Sequence, residues 1–168
     1  MSSRPDHQTI PSFDPAPPTA DQCVTSRLIE RFAAETPDKL FALFESGETW
    51  TWEQTRRRAR ETASALQARG VGKGDIVAAW APNGPALLGA WFGSNHAGAA
   101  LAPINSSFRG LLLEHAIAKT GANILILHPE LIDRLKGLSL GAVNRIILTG
   151  PATSDYAPRE SSWRTRRL

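Results

Sequence analysis

Cysteine, methionine and tyrosine occur once each in these 168 residues, and the shortage of cysteine is the most informative. Cys23 has no partner for an internal bridge, which excludes a disulfide-stapled secreted domain and fits a reducing, cytoplasmic compartment. A large excess of one charge is also lacking. The formal net charge is +3, and residues 1–150 carry 15 lysines and arginines against 14 acids. The rest of the excess comes from Arg159, Arg164, Arg166 and Arg167, set against Asp155 and Glu160. Basicity confined to a short tail is a poor nucleic-acid footprint. A second group, Arg56, Arg57, Arg58 and Arg60, lies opposite Ala59, Ala63 and Leu66 at helical spacing and is expected to be a solvated helix face.

Long apolar runs are missing too. The greasiest stretch, between Pro85 and Pro103, is broken by Ser94, Asn95, His96 and Gly98 and divides into a helix and a strand, short of the roughly 20 apolar residues of a membrane span. Five of the 12 prolines fall within the first 20 residues, with no apolar run among them, so residues 1–22 are expected to be a flexible leader and not a signal peptide. What is present, 42% hydrophobic and 21% charged residues, suits one globular domain able to bury roughly 70% of its unfolded surface.

The chain is punctuated in a regular way. Leu28, Ile29, Phe32 and Ala33 share one helical face, with Thr25 or Ser26 as the expected N-cap and Pro37 closing the segment. Phe41–Glu45 and Thr49–Trp52 form a hairpin around Ser46-Gly47-Glu48. Thr51 and Gln54 are spaced as a capping box for a helix that stops at Gly70. Then come a strand at Ile76–Ala81, a helix at Ala86–Ala97, a strand at Ala99–Ile104, a helix at Leu111–Thr120, a strand at Ile124–Leu127, a short helix opened by Pro129 and a strand at Arg145–Leu148. This alternation predicts an α/β fold, a partial doubly wound parallel sheet with helices on both faces, over residues 23–150. The helix at 86–97 is apolar nearly all round and predicts cover from further protein. From Thr149 onward periodicity is lost, and residues 151–168 are expected to be an irregular Arg-rich tail.

Few constellations carry chemistry. Gly70-Val71-Gly72-Lys73-Gly74 has the look of a phosphate loop, but it follows a helix and precedes a strand, the reverse of the order that aims helix N–H groups at an anion, and it is expected to be a helix stop and turn. His7, His96, His115 and His128 have no nucleophile, carboxylate or metal-ligand partner at a useful spacing, so no catalytic or metal residue is assigned. Ligands of open α/β sheets bind beyond the C-terminal strand ends, which singles out His128 and the loop Asn105-Ser106-Ser107. Ser107 is also placed to cap the helix that follows.

Thr51-Trp52-Glu53-Gln54-Thr55, Gly70-Val71-Gly72-Lys73-Gly74-Asp75-Ile76-Val77-Ala78, Trp91-Phe92-Gly93 and Gly98-Ala99-Ala100-Leu101-Ala102-Pro103-Ile104-Asn105, in this order, resemble the N-terminal part of adenylate-forming enzymes, in particular acyl-CoA synthetases of the carnitine-CoA ligase type. Trp52, Gln54 and Thr55 depart from the family's usual Tyr, Glu and Leu. The resemblance implies a fatty-acid-type ligase chemistry in which a carboxylate, ATP and CoA yield acyl-CoA, AMP and pyrophosphate through an acyl-adenylate, with Mg²⁺ assisting. It places Asn105, Ser106 and Ser107 near the CoA channel as cofactor-binding candidates. The family's Ser/Thr/Gly-rich loop ending in Pro-Lys-Gly, its aromatic-Gly-x-Thr-Glu motif, its ribose-binding Asp and its C-terminal catalytic Lys have no counterpart in this sequence. The resemblance therefore implies an N-terminal portion, inactive by itself, that binds none of these cofactors tightly and whose partners are the missing C-terminal parts of a ligase or an unknown protein. The Arg-rich end fits truncation or a reading-frame change. The competing expectation is a free-standing, non-catalytic α/β binding or regulatory module.

Overall fold

The computed structural model describes residues 17–149 and 165–167. Residues 1–16 of the expected leader, His7 among them, and residues 150–164 and 168 of the expected tail lie outside the described residues. The elements in chain order are α1 (Ala20–Cys23), α2 (Thr25–Glu35), β1 (Leu40–Leu43), β2 (Thr49–Thr51), α3 (Trp52–Gln67), β3 (Ile76–Trp80), α4 (Pro85–His96), β4 (Ala100–Ile104), α5 (Gly110–Thr120), β5 (Ile124–Leu127), a 3₁₀ turn (Pro129–Leu135), β6 (Arg145–Leu148) and β7 (Thr165–Arg167). A short helix thus reaches into the expected leader and a short strand into the expected tail, where the sequence shows no periodicity.

Local chemistry explains most boundaries. At the start of α3 the Thr51 hydroxyl accepts from the Gln54 N–H at 3.3 Å while the Gln54 side chain accepts from the Thr51 N–H at 2.9 Å, which is the anticipated reciprocal cap. Two expected caps differ. Thr25 lies inside α2, because Leu28 N–H donates to Val24 C=O at 3.0 Å and makes Val24 the uncapped N-cap. Ser107 does not cap α5: the Asn105 side-chain oxygen takes the Ser107 N–H at 2.9 Å, the chain turns on itself, and the helix begins only at Gly110, whose φ of 53° is a conformation glycine adopts without penalty.

Strands β3, β4, β5, β6 and β7 make one parallel sheet in the order β4-β3-β5-β6-β7, with Val77 opposite both Leu101 and Ile124, and Ile124 opposite Arg145. Alternate residues feed two cores. Val77, Ala79, Ile126 and Ile147 pack with Ala63 and Leu66 of α3 and Ala90 of α4. Ala78, Trp80, Leu125 and Leu127 pack on the opposite face with Leu113 and Ile117 of α5 and Leu131 and Leu135 of the 3₁₀ turn. Burial on both faces is why these strands read as unbroken apolar runs, and each fully buried Ile or Leu contributes about 1.5–3 kcal/mol. β4 is an edge strand, and Pro103 within it, which lacks an N–H to donate, is tolerated there.

The antiparallel hairpin β1–β2 sits apart from this sheet. It joins α2 and α4 through an aromatic run: Phe32 stacks on Trp52 at 4.7 Å, Trp52 meets Phe41 at 4.4 Å, and Phe41 meets Phe92 at 5.7 Å. The cover expected for α4 is therefore supplied largely by α2, α3 and β1 of the same chain, with Trp91 left 49% exposed. α3 and α4 approach so closely that a Cβ on Gly93 would overlap the Thr62 side chain.

Candidate functional site

The connection leaving β3 through α4 runs over one face of the sheet, while the connection leaving β5 through the 3₁₀ turn runs over the other. The C-terminal ends of the neighbouring strands β3 and β5 therefore form the switch point where open α/β sheets take ligands. Of the sequence-derived candidates, His128 lies at it, beyond β5, and the loop at 105–107 lies beside it, beyond β4; one residue ties both to the end of β3. Trp80 donates its indole N–H to the Asn105 carbonyl at 3.0 Å, and its own carbonyl accepts the His128 N–H at 3.1 Å.

Asn105, Ser106 and Ser107 form a tight loop. The Asn105 carbonyl takes the Phe108 N–H at 3.1 Å, and the Arg109 guanidinium donates to the carbonyls of Ser106 and Phe108 at 2.7 and 2.6 Å. Backbone acceptors thus hold the one cation in this loop, so it forms no phosphate cradle as it stands. The two serine hydroxyls and the outer side of the loop face solvent or are half-buried. His128 is 31% exposed, its Nδ1 stands 3.9 Å from a Glu130 carboxylate oxygen, and that nitrogen has no hydrogen-bond partner among the described residues.

The remaining histidines belong elsewhere. His96, at the end of α4, has Nδ1 at 2.9 Å from the Phe92 carbonyl and Nε2 at 3.5 Å from Glu30, while His115 is exposed on α5. Among the described residues no group of three His, Cys, Asp or Glu side chains is placed to hold a metal ion. The arginine cluster is engaged and forms no basic patch. Arg60 holds Glu30 in a two-point pair at 2.8 and 2.6 Å, Arg56 reaches Glu53 at 2.6 Å, and Arg58 reaches Glu48 at 3.0 Å while lying 4.8 Å over the Trp50 ring. Partial burial raises the Glu30 carboxyl's pKa, but the Arg60 hydrogen bond and charge, with His96 and Arg56 beside it, outweigh that and hold it below its ordinary value.

The glycine segment behaves as a turn. Gly70 and Gly74 take φ of 85° and 89°, Gly72 N–H donates to Asp75 at 2.8 Å, and Gly74 N–H donates to the Gly98 carbonyl at 3.1 Å. It lies at the N-terminal strand ends beside a cleft of about 400 Å³ that includes Arg69 and Arg145. Arg69 donates to the Ala65 carbonyl and Arg145 to the Arg69 carbonyl, at 2.6 and 2.5 Å. They thereby satisfy the free carbonyls at the end of α3, where positive charge is favoured.

Sequence reasoning missed a cavity of about 350 Å³ between the hairpin, α3, α4 and the sheet, reached by Trp50, Arg58, Thr62, Ala86, Ile126 and Thr149. Thr149 stands one residue past β6, as His128 stands one residue past β5, and the rule that flags His128 flags Thr149 equally. Trp50 carries no such signal, because only the folded hairpin brings it over the sheet.

Comparison with known proteins gives a consistent picture. Residues 29–164 match the family described as AMP-binding enzyme. A feruloyl-CoA synthase of Amycolatopsis is 36% identical over 105 residues, 62% of this chain and 21% of that protein. A medium/long-chain-fatty-acid–CoA ligase of Mycobacterium tuberculosis is 30% identical over 134 residues, 73% of this chain and 22% of that protein. The chain thus spans about a fifth of the length of these relatives. A long-chain-fatty-acid–CoA ligase from Archaeoglobus fulgidus superposes with a TM-score of 0.69 at 22% identity, over 77% of this chain and 28% of that one, a likeness of fold.

Proposed function

This chain belongs to the AMP-binding enzyme family, and from that premise we propose that it supplies the N-terminal α/β unit of an ATP-dependent acyl-CoA ligase. The family match across residues 29–164, together with acyl-CoA ligases as its relatives, carries the reading. In the reaction proposed for the intact enzyme, a carboxylate oxygen attacks the α-phosphorus of ATP and pyrophosphate leaves. The CoA sulfur then attacks the acyl carbon of the adenylate and AMP departs. The first step converts a poor electrophile into one with a good leaving group.

Within this scheme Asn105, Ser106 and Ser107 are proposed to line the approach of CoA. Their place beyond the edge strand β4, at the C-terminal side of the sheet, supports this role. ATP and CoA as substrates support a cytoplasmic location, and no helix among the described residues is long and apolar enough to cross a membrane. The acyl group is proposed to be an aryl or fatty carboxylate, the classes named in the relatives.

Two measurements test the reading. The purified 168-residue chain is expected to release no pyrophosphate from ATP in the presence of ferulate or fatty acids, and carboxylate-dependent release would overturn the proposal that it is inactive alone. Replacing the matched stretch of the Amycolatopsis feruloyl-CoA synthase by the corresponding residues of this chain is expected to retain ferulate-dependent pyrophosphate release. A chimera that folds and binds ATP but makes no adenylate would count against the assignment.

A further inference from the structure

The cavity of about 350 Å³ has a distinct chemical character. Its floor is sheet, from Ile126 on β5 and Thr149 past β6. One wall is the first half of α4, where Pro85, Ala86, Gly89 and Ala90 present small apolar surface. That helix of 12 residues has no side-chain cap, so the N–H groups of Ala86 and Leu87 are among those a helix leaves without an internal acceptor. Thr149 is 6% exposed and its hydroxyl has no hydrogen-bond partner among the described residues. A buried hydroxyl in that state carries a desolvation cost, which a rotation of the Thr149 side chain toward a ligand oxygen in the cavity would remove.

Charge selects the class of ligand. The lining holds Glu48, Glu61 and one cation, Arg58, which is committed to Glu48 at 3.0 Å. A free carboxylate would meet net negative charge with no unengaged cation facing it among the described residues. The volume is at the small end of the range for ligand sites, where apolar walls and a few convergent polar groups are usual.

We propose that this cavity is a binding site for a small, uncharged aromatic molecule carrying one carbonyl or amide oxygen. The ring lies against Ile126, Pro85 and Ala90, and the oxygen accepts from the Thr149 hydroxyl and the first amides of α4. The site is independent of the ligase reading, since it rests on the shape and polarity of this chain alone.

Benzamide titrated into the ¹⁵N-labelled full chain tests this. The expected result is saturable shifts at the amides of Ala86, Leu87 and Thr149 and at the Trp50 indole, with a millimolar or tighter dissociation constant. Thr149→Val is expected to weaken binding at least about five-fold, because the methyl preserves volume and removes the donor. Gly89→Ala is a second variant that keeps the fold: its added Cβ lies 3.9 Å from the Trp50 ring, an ordinary contact, and narrows the cavity. It is expected to weaken benzamide in the same direction. Benzoate, of matching shape, is expected to bind at least about five-fold more weakly than benzamide, in line with the carboxylates on the wall. The proposal is overturned by the absence of shifts at millimolar benzamide, by shifts confined to other residues, by affinities unchanged in both variants, or by benzoate binding as tightly as benzamide.

Discussion

The two ends of the parallel sheet are made by the same strands and finish their polar groups in opposite ways. At the N-terminal end, around the cleft of about 400 Å³, the backbone groups close on one another. Gly74 N–H meets the Gly98 carbonyl, Ala100 N–H meets the Asp75 carbonyl, Asn144 N–H meets the Asn123 carbonyl, and two arginines take the carbonyls at the end of α3. At the C-terminal end Thr149 Oγ1 and His128 Nδ1 are buried without a partner among the described residues, and the Asn105 loop and the cavity open there. A buried polar group costs free energy unless it is paired, so the closed end is built for stability and the open end keeps groups in reserve for something else to satisfy. The glycine-rich segment with its lysine, which resembles a phosphate loop in sequence, sits at the closed end.

On this contrast, the largest loss of stability follows from disturbing the closed end. Gly98 has φ of 85°, and a Cβ there would stand 3.2 Å from the Lys73 Cα, a backbone atom unable to swing away. Gly98→Val is expected to cost about 3 kcal/mol, adding a left-handed β-branched residue to a backbone contact, as read by urea unfolding. A loss under about 1 kcal/mol would show that this end is looser than its hydrogen bonds indicate. Next, Arg145→Ala removes the guanidinium from the Arg69 carbonyl and is expected to cost about 1–2 kcal/mol, measured in the same way.

The open end is expected to respond differently. Thr149→Val replaces a hydroxyl without a partner among the described residues by a methyl of equal size in a buried position and is expected to leave stability within about 0.5 kcal/mol of the parent, or to raise it. A loss near that of Arg145→Ala would mean the hydroxyl is already satisfied, and the contrast between the ends would fail.

How much of this the sequence reveals depends on the range of the interactions. The α3 cap needs only residues three apart, and Thr51 and Gln54 display it. The parallel strands are legible because burial on both faces demands unbroken apolar runs such as Ile124–Leu127. The start of α5 is not, since the side chain of Asn105 competes for the Ser107 N–H and displaces the expected cap. The strand Thr165–Arg167 escapes the reading because its pairing with β6 is a long-range choice that three residues cannot signal. Of the site, the loop at 105–107 and His128 follow from the rule about strand ends, whereas the cavity depends on Trp50 arriving from a hairpin that belongs to another sheet.

The smallest effect belongs to a pair at neither end, and it calibrates how much exposed charge contributes to the contrast. Glu30 faces Arg60, Arg56 and His96, and its carboxyl is held below its ordinary pKa by these partners despite the opposing effect of burial. A carboxyl with a depressed folded pKa stabilises the fold above its unfolded pKa, and that contribution is lost as pH falls through the folded value. Glu30→Gln is therefore expected to be less stable than the parent near neutral pH, with the difference disappearing in acid below the ordinary glutamate range. The Glu30 side chain is 35% exposed, so solvent screening limits the difference to under about 1 kcal/mol. Urea midpoints for both proteins across that pH range check it. A gap that widens in acid would reverse the sign of the argument, and a gap matching Arg145→Ala would show that surface ion pairs, more than the satisfied carbonyls at the end of α3, hold this fold.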